Sequence, residues 1–584
     1  MPAELPLVPS AVALAISGLL FSLQRRGTWS HLLGTLLVVT GAALPVALQQ
    51  RVDPEHPEGR ALWEWSAVGG PTIEASYRVD ALAAVAVALV VAFAGAALAT
   101  AARSERRHPA LPALVLALGL VGIATVVTVD LVAAIVVLAV MSAFTVLALL
   151  AVAPAGATAR AAAYLAVGLQ AWVLAALLVS RHGSASFELG EIPAGALTLG
   201  ATLAATIGAL LFAGLYPVVA WSFDTDDVPD PGPLGGLILM PTGIAGSLLL
   251  LRLFGSGRIE PTQIPLPGMD PETRLALAVV LLVAVAASAV RTRGMPVRPI
   301  VLGAAGLALL ALYPVVTWAH LVLLGAILTI AYAAVSSLAV PERWPTVRSD
   351  LGLVVLWIGI ATGSSLAVAG GLLALAARAV SALATASWLE PHRDYVALVG
   401  GSAAFLAGVA AAAIGAGAAP DTATAVLGIT AAALLVALEL AQVGRHFRIA
   451  EVPPGLDIAS GIGALLLAVL GSAVTVALEP IAREHVASRT ASDPLLLGAI
   501  AATATLVVVL ARTVRPLLPY LELVAERSGP AIHVLDPVPV GIGIFRTLEV
   551  ATVRANAAFA LFEGRAGVWL ATVLIVGLLV WAVR

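Results

Sequence analysis

Residues 81–102 read ALAAVAVALVVAFAGAALATAA, an uninterrupted run of small and apolar side chains without a charge. As a helix, a run of about 20 such residues is long enough to cross the hydrocarbon core of a bilayer. Similar runs recur along the 584-residue chain, which is 60% hydrophobic and only 11% charged. The sequence therefore predicts an all-α polytopic membrane protein with roughly 14–17 transmembrane helices. The run 351–388 is long enough for two crossings, divided around Gly363–Ser365.

Two residue types are missing from the chain. It contains no cysteine, which excludes disulfides, thiolate catalysis, Cys-ligated zinc and iron–sulfur clusters. All 31 basic residues are Arg, which stays protonated at any working pH, whereas a buried Lys can release its proton. There is no Walker sequence, no dinucleotide fingerprint and no paired haem ligands. The sequence thus predicts no cofactor, no metal site and no active site of its own. The net charge of -3 does not favour nucleic acid as a partner.

The charges of the loops predict the orientation in the cell (inner) membrane. Arg25, Arg26 and the arginines of 103–107 lie in the first and third loops, which share one side, whereas the loop 50–79 is mainly acidic. The positive-inside rule places that arginine-rich side in the cytoplasm and the N-terminus outside. We interpret Pro9–Leu23 as the first span, because it lacks the basic start and small-residue cleavage site of a signal peptide.

Several segments match, in order and spacing, one family of membrane proteins. They are Tyr77–Ala83 (YRVDALA), Asp130-Leu131 followed by Leu138–Ser142 (LAVMS), Phe212–Pro217 (FAGLYP) with Trp221 and Asp224, Pro231–Leu237 (PGPLGGL), and Leu249–Arg252 (LLLR). These segments resemble the antiporter-like membrane subunits of respiratory complex I, which are related to Mrp-type cation/proton antiporters and membrane-bound hydrogenases. The resemblance is strongest over about 75–255 and weaker over 317–440. It implies inverted repeats and broken helices that form half-channels for ions.

The resemblance also implies a division of the chain. The expected regions are N-terminal spans (1–107), a first antiporter-like repeat (108–255), a degenerate second repeat (256–445), C-terminal spans (446–515), an amphipathic connecting segment (516–562) and a final transmembrane helix (563–584). In the connecting segment, Phe545, Leu548, Phe559 and Phe562 fit one helical face and polar residues fit the other. This pattern is typical of a lateral helix along the membrane or a partner, and equally of an ordinary connecting helix.

The family's proton-carrying side chains are absent here. Its buried Glu in the fifth helix and Lys in the seventh correspond to Ala139 and Phe212. The best counterpart of its H-x-x-x-H-x-x-x-K run is Leu373, Ala377 and Ser381, and its G-L-P-P signature is reduced to residues 415–421. The proton channel is therefore predicted to be divergent and possibly non-conducting.

Few ionisable residues remain inside the spans, where such a residue is a functional candidate by default. The candidates for an ion path are Asp130, Glu439, His320, Arg378 and Arg252. Each has a structural alternative. Asp130 fits a helix N-cap, Glu439 a neutral carboxyl between helices, His320 a hydrogen bond to a neighbouring helix, and the two arginines fit ion pairs or an anion site. The acidic loop 224–230 is either an entrance for cations or a solvated loop.

Two classes of function follow from these observations. The first is an ion-translocating subunit of a complex I-like or Mrp-like assembly. The second is a structural membrane subunit that anchors a partner, for example in an inorganic-carbon uptake or hydrogenase-type complex. A free-standing transporter is a weaker third. In the first two, the expected partners are other membrane subunits and the lipid bilayer.

Overall fold

The computed structural model describes most of residues 7–527, with larger gaps at 24–27, 50–59, 67–71, 104–107, 216–232, 292–303, 340–343, 388–390, 450–453, 487–495 and 506–514 and several shorter ones. These residues belong to one compact unit, 1–533. A second unit, 534–584, lies outside the described residues, as do the expected lateral helix beyond 533, the final span and the acidic loop 224–230.

The described part of the chain is almost entirely helical. Its first half contains α1 (Leu7–Leu23), α2 (Thr28–Gln49), α3 (Ala81–Arg103), α4 (Leu111–Val127), α5 (Leu131–Leu150), α6 (Ala155–Arg181), α7 (Leu199–Ala213) and α8 (Pro233–Gly257). Its second half contains α9 (Pro271–Arg291), α10 (Trp318–Ala339), α11 (Trp344–Thr362), α12 (Ser365–Ser387), α13 (Pro391–Gly417), α14 (Thr422–Ile449) and α15 (Pro454–Arg483).

Helix length and composition confirm the predicted fold class. Among the described residues, nine helices are long and apolar enough to cross a membrane, and six shorter apolar helices of 10–17 residues accompany them. Many large apolar side chains on α1, α2, α6 and α15 are exposed. Exposed apolar surface of this extent is typical of helices that face lipid, because lipid tails need no polar covering.

A β-hairpin occupies part of the loop between α2 and α3, which the sequence reasoning treated as irregular. Strands β1 (Arg60–Ser66) and β2 (Thr72–Tyr77) pair antiparallel, with Trp65 opposite Ile73. The pairing continues through isolated bridges from Tyr77 to Thr128 and from Asp130 to Glu188. The hairpin thus leads into a short backbone network that joins the ends of α3, α4 and α5.

Two glycines with left-handed backbone interrupt the helices at the positions that the sequence singled out. Gly214, with φ of 66°, caps the C-terminus of α7 two residues after Phe212. Gly363, with φ of 63°, separates α11 from α12, which confirms the predicted division of the long run 351–388. Both conformations favour glycine because a side chain would be strained there. The helix α7 therefore ends at Gly214, and the run 351–388 forms two separate helices, α11 and α12.

In the second half of the chain, glycines allow the helices α11, α12 and α13 to pack closely. A Cβ atom on Gly370 of α12 would lie 2.4 Å from the carbonyl oxygen of Gly408 on α13, and the reverse distance is also 2.4 Å. A Cβ atom on Gly371 would lie 2.4 Å from the Cα of Leu356 on α11. Small residues at helix contacts allow backbones to approach closely, which is the main source of helix association in lipid.

Buried indoles connect the two halves of the chain. Trp318 of α10 donates from Nε1 to Thr206 Oγ1 of α7 at 3.0 Å. Trp357 of α11 donates from Nε1 to Ser247 Oγ of α8 at 2.9 Å. Both pairs are buried, so each indole N–H and its hydroxyl acceptor satisfy one another. The contact between the halves therefore places α7 and α8 beside α10 and α11.

Candidate functional site

Phe212 fills the position where the family resemblance implies a lysine. The ring is 2% exposed on α7. A Cβ atom on Gly168 of α6 would meet its Cε2 at 3.2 Å, and one on Gly246 of α8 would meet its Cβ at 2.8 Å. Glycines on both neighbouring helices thus make room for the ring. Ala139, at the position of the family's glutamate, is half-buried on α5 and offers no polar atom in its side chain.

A carboxylate that the sequence reasoning missed lies beside this phenylalanine. Asp350 of α11 lines a small cavity together with Phe212, Ala213, Gly214, Leu239, Met240 and Leu353. Asp350 is partly exposed, and no described residue provides its carboxylate with a hydrogen bond or an opposite charge. From the sequence, Asp350 looked like the last residue of a loop before the apolar run 351–388. Its surroundings become apparent only in the tertiary structure, where α11 packs against the C-terminal end of α7.

Arg378 and Glu439, both predicted as ion-path candidates, form one buried pair. Arg378 of α12 donates from Nη1 to Glu439 Oε1 at 3.0 Å and from Nη2 to Oε2 at 2.7 Å. Ser402 of α13 donates to the same Oε1 at 2.6 Å. Both charged side chains are only 1% exposed. The interpretation of Glu439 as a lone neutral carboxyl between helices is therefore replaced by a fork-to-fork ion pair.

Aromatic rings complete the surroundings of this pair. The guanidinium carbon of Arg378 lies 3.5 Å from the ring centroid of Phe405 and 5.9 Å from that of Trp344. A cation over an aromatic face gains electrostatic stabilisation, most strongly where water is excluded. The guanidinium thus has the carboxylate at its edge and a ring on its face. Because Arg holds its proton, the pair serves as a fixed connection between α12, α13 and α14.

Ser381 lies one turn beyond this pair on α12. Leu373, Ala377 and Ser381 are buried, at exposures of 5%, 6% and 2%. Their spacing of four residues places them along one face of the helix. Apart from the hydroxyl of Ser381, this face carries no polar side-chain group at these three positions.

His320 lies at the start of α10, where it joins two helix ends. Its Nδ1 accepts from the Thr317 backbone N–H at 3.0 Å, and its Nε2 lies 2.7 Å from Asp421 Oδ2. Since Nδ1 is an acceptor, the proton of the neutral ring is on Nε2, which donates to the carboxylate. This agrees with the structural alternative given for His320, a hydrogen bond to a neighbouring helix.

Asp421 is the N-cap of α14 as well as the partner of His320. Its Oδ2 accepts from the backbone N–H and the hydroxyl of Thr424, both at 2.9 Å. These hydrogen bonds, first from the Thr424 backbone and then from His320, lower the pKa of Asp421 to about 2. The carboxylate is therefore ionised at any physiological pH. Nothing in this arrangement requires His320 to exchange a proton.

Arg252 pairs with the family-like motif at the start of α3. Its Nη2 donates to both carboxylate oxygens of Asp80, at 2.8 and 3.0 Å, across 172 positions of sequence. Its Nη1 donates to the Val126 carbonyl at 2.9 Å. Burial acts to raise the pKa of Asp80, but Arg252 and the Ala83 backbone N–H outweigh it and hold the pKa below its ordinary value. Of the two alternatives for Arg252, the structure supports the ion pair.

His485 lies next to this pair, just beyond the end of α15. A Cβ atom on Gly255 of α8 would be 2.9 Å from the His485 Cα, so the two backbones are in close contact. Burial lowers the pKa of His485 to about 4; the charge of Asp80 opposes this shift and that of Arg252 adds to it. The imidazole is therefore neutral at physiological pH, and its environment resists protonation.

Asp130 takes the structural role that the sequence favoured. Its Oδ1 accepts from the Ala133 backbone N–H at 2.9 Å, which makes it the N-cap of α5. A second buried carboxylate, Glu479 of α15, was missed. It accepts from Ser365 at 2.7 Å and from Arg483 at 3.0 and 2.7 Å. Its spacing of four residues from Arg483 was a local signal that the sequence reasoning did not use.

Among the described residues, no group of three or more His, Asp or Glu side chains is arranged to hold a metal ion. The ionisable groups inside the described helices instead fall into two kinds. Arg378, Glu439, Arg252 and Glu479 are engaged in ion pairs, whereas Asp350 is not.

Comparison with known proteins finds the fold in membrane complexes. No family model and no curated protein matches the sequence. A chain of the Mrp complex from Dietzia sp. DQ12-45-1b aligns with a TM-score of 0.60 at 16% identity, and the alignment covers 100% of this chain and 63% of that one. A chain of the membrane-bound sulfane sulfur reductase, an archaeal respiratory membrane complex, aligns with a TM-score of 0.51 at 14% identity over 87% and 99% of the two chains.

A third similarity, to respiratory complex I from Thermus thermophilus with bound NADH, has a TM-score of 0.43 at 16% identity over 91% and 99% of the chains, and we draw nothing from it. The chain thus spans less than two thirds of the Mrp-complex chain that it matches. At these identities the similarity concerns the fold. It confirms at that level the resemblance read from the motifs: the protein is a multi-pass membrane protein whose fold is similar to those of a chain of the Mrp complex and a chain of an archaeal respiratory membrane complex.

Proposed function

We propose that the protein is a membrane subunit of a larger complex I-like or Mrp-like ion-translocating assembly. The fold similarity to chains of the Mrp complex and of an archaeal respiratory complex supports this proposal. The charged pairs of the described residues connect helices to one another. A protein of this kind contributes to translocation within an assembly whose other subunits supply the chemistry.

The second part of the proposal concerns proton movement through the first repeat, and it is supported by the packing of Phe212. In the family, a buried lysine gives up its proton when a neighbouring glutamate charge changes. Here the ring of Phe212 is wedged between glycines of α6 and α8, and Ala139 supplies no charge. Arg252 and Arg378 hold their protons too tightly to take over this role. The protein therefore does not move protons by the lysine–glutamate mechanism.

The same observation favours one alternative, a structural subunit that keeps the fold and anchors a partner. An inorganic-carbon uptake complex or a hydrogenase-type complex is an assembly in which a partner would do the chemistry. The two functions differ in what the intact assembly does. In the first, the assembly changes an ion gradient during turnover; in the second, its activity leaves the gradient unchanged.

Affinity purification of the tagged protein in mild detergent tests membership of an assembly. We expect further membrane subunits to co-purify in fixed ratio, and deletion of 540–584 to release them while the remaining spans still insert. A monodisperse monomer with full activity would contradict the proposal. A second measurement concerns the channel. Reconstituted alone into liposomes with an imposed pH gradient, the protein is expected to give no more proton flux than empty vesicles.

A further inference from the structure

The cavity beside Phe212 contains one ionisable side chain, Asp350. The cavity lies where α11 meets the C-terminal end of α7 and the middle of α8. Its other lining side chains, those of Phe212, Ala213, Leu239, Met240 and Leu353, are apolar. Its volume corresponds to about one water-sized occupant. The site is thus a small, mainly apolar enclosure with a single carboxylate in its wall.

Among the described residues, no group balances the charge of the Asp350 carboxylate. It receives no hydrogen bond and faces no opposite charge among the described residues. Arg378 of α12 lies nearby, since its Cγ is 3.5 Å from the position of a Cβ on Gly352, but its guanidinium is bound to Glu439. A partly exposed carboxylate that lies among apolar side chains without a partner is stabilised when a proton or a cation neutralises its charge.

Backbone oxygens add further negative potential around the cavity. The last carbonyls of a helix lack intrahelical partners and carry the negative end of its dipole, and α7 ends at Ala213 in the cavity wall. A Cβ on Gly243 would lie 3.3 Å from the carbonyl oxygen of Phe212, so this oxygen is directed toward α8. Pro241 within α8 has no N–H to donate to the preceding turn, which leaves one more carbonyl available.

We propose that Asp350 and the carbonyl end of α7 bind one monovalent cation, either a proton or Na⁺, at the contact between the two halves of the chain. One carboxylate neutralises one positive charge, and the cavity is too small for a hydrated divalent ion. The site lies beside Phe212, which occupies the position of the missing lysine. Binding rests on this geometry alone; use of the site in translocation rests on the proposed function.

Carbodiimide labelling of the purified protein tests the site. Hydrophobic carbodiimides modify protonated carboxyls in apolar surroundings, and peptide mass spectrometry locates the modification. We expect labelling at Asp350, lost in Asp350→Asn, while Glu439 stays unmodified because both its oxygens accept from Arg378. If the cation is Na⁺, added Na⁺ should suppress the labelling, and ²²Na⁺ binding should fall by at least about tenfold in Asp350→Asn. If the cation is a proton, labelling should decline with rising pH and should not change when Na⁺ is added.

Matched controls separate this site from other carboxylates. Glu188→Gln removes a partly exposed carboxylate that pairs with Arg78, and it should leave the labelling of Asp350 unchanged. Asp350→Asn preserves size, so gel filtration should show a folded protein. Absence of labelling at Asp350 from low to high pH, with no ²²Na⁺ binding, would overturn the proposal. Equal labelling of Asp350 and the exposed Asp270 at every pH would also overturn it, since Asp350 would then be an ordinary solvated carboxylate. Neither result depends on partner subunits.

Discussion

Breaking the Arg378–Glu439 pair should destabilise the protein by about 3–5 kcal/mol, the cost of leaving one buried charge without its partner. Glu439→Gln leaves a guanidinium that is 1% exposed without its counter-charge. Arg378→Met leaves the Glu439 carboxylate without its partner. It also removes the guanidinium whose carbon lies 3.5 Å from the ring centroid of Phe405. The double variant Arg378→Met/Glu439→Gln removes both charges, so its loss should be smaller than either single loss. The coupling energy of the cycle should therefore be at least about 3 kcal/mol.

Reversible unfolding in mixed micelles of mild detergent and SDS, followed by far-UV circular dichroism, measures these differences. The matched control is Arg78→Met. Arg78 contacts Glu188 at 2.6 Å, but the two side chains are 31% and 23% exposed. Because water screens this pair, its loss should cost less than about 1 kcal/mol. Single variants at Arg378 and Glu439 as stable as the Arg78 control, or a double variant that loses the sum of both, would refute the reasoning.

Three further predictions concern pH, packing and orientation. Because the pKa of His485 is about 4 when folded and 6.5 ordinarily, the folded state binds fewer protons, and stability should fall by up to roughly 3 kcal/mol as pH drops from about 6.5 to 4. His485→Asn should remove this part of the loss, whereas Asp421, with a pKa of about 2, should contribute no change above pH 5. Gly370→Ala should cost about 1–3 kcal/mol or prevent folding, whereas Gly463→Ala, with nothing within 4 Å of its Cβ, should be tolerated; fluorescence gel filtration compares them. In intact cells, an impermeant thiol reagent should label Glu58→Cys and not Ser104→Cys; the reverse pattern would invert the predicted topology.

Local features of this protein could be predicted from sequence because their causes lie within a few residues. The apolar runs determined the membrane-spanning helices, since only a backbone bonded within its own segment is stable in lipid. Asp130 caps α5 through a neighbour three positions away. Gly363 divides α11 from α12 because its own backbone is left-handed. The hairpin 60–77 was missed although its alternating side chains are also a local signal; its short strands were obscured by the surrounding acidic loop.

The partners of the charged residues were decided by tertiary structure. Arg378 and Glu439 are 61 positions apart, and Arg252 and Asp80 are 172 positions apart. The sequence marked three of these four residues as candidates, but it gave no means of matching them. Asp350 was not marked at all, because a carboxylate at the edge of an apolar run is usually solvated. Its place in the cavity wall depends on where α11 packs against the end of α7, which lies far from it in sequence.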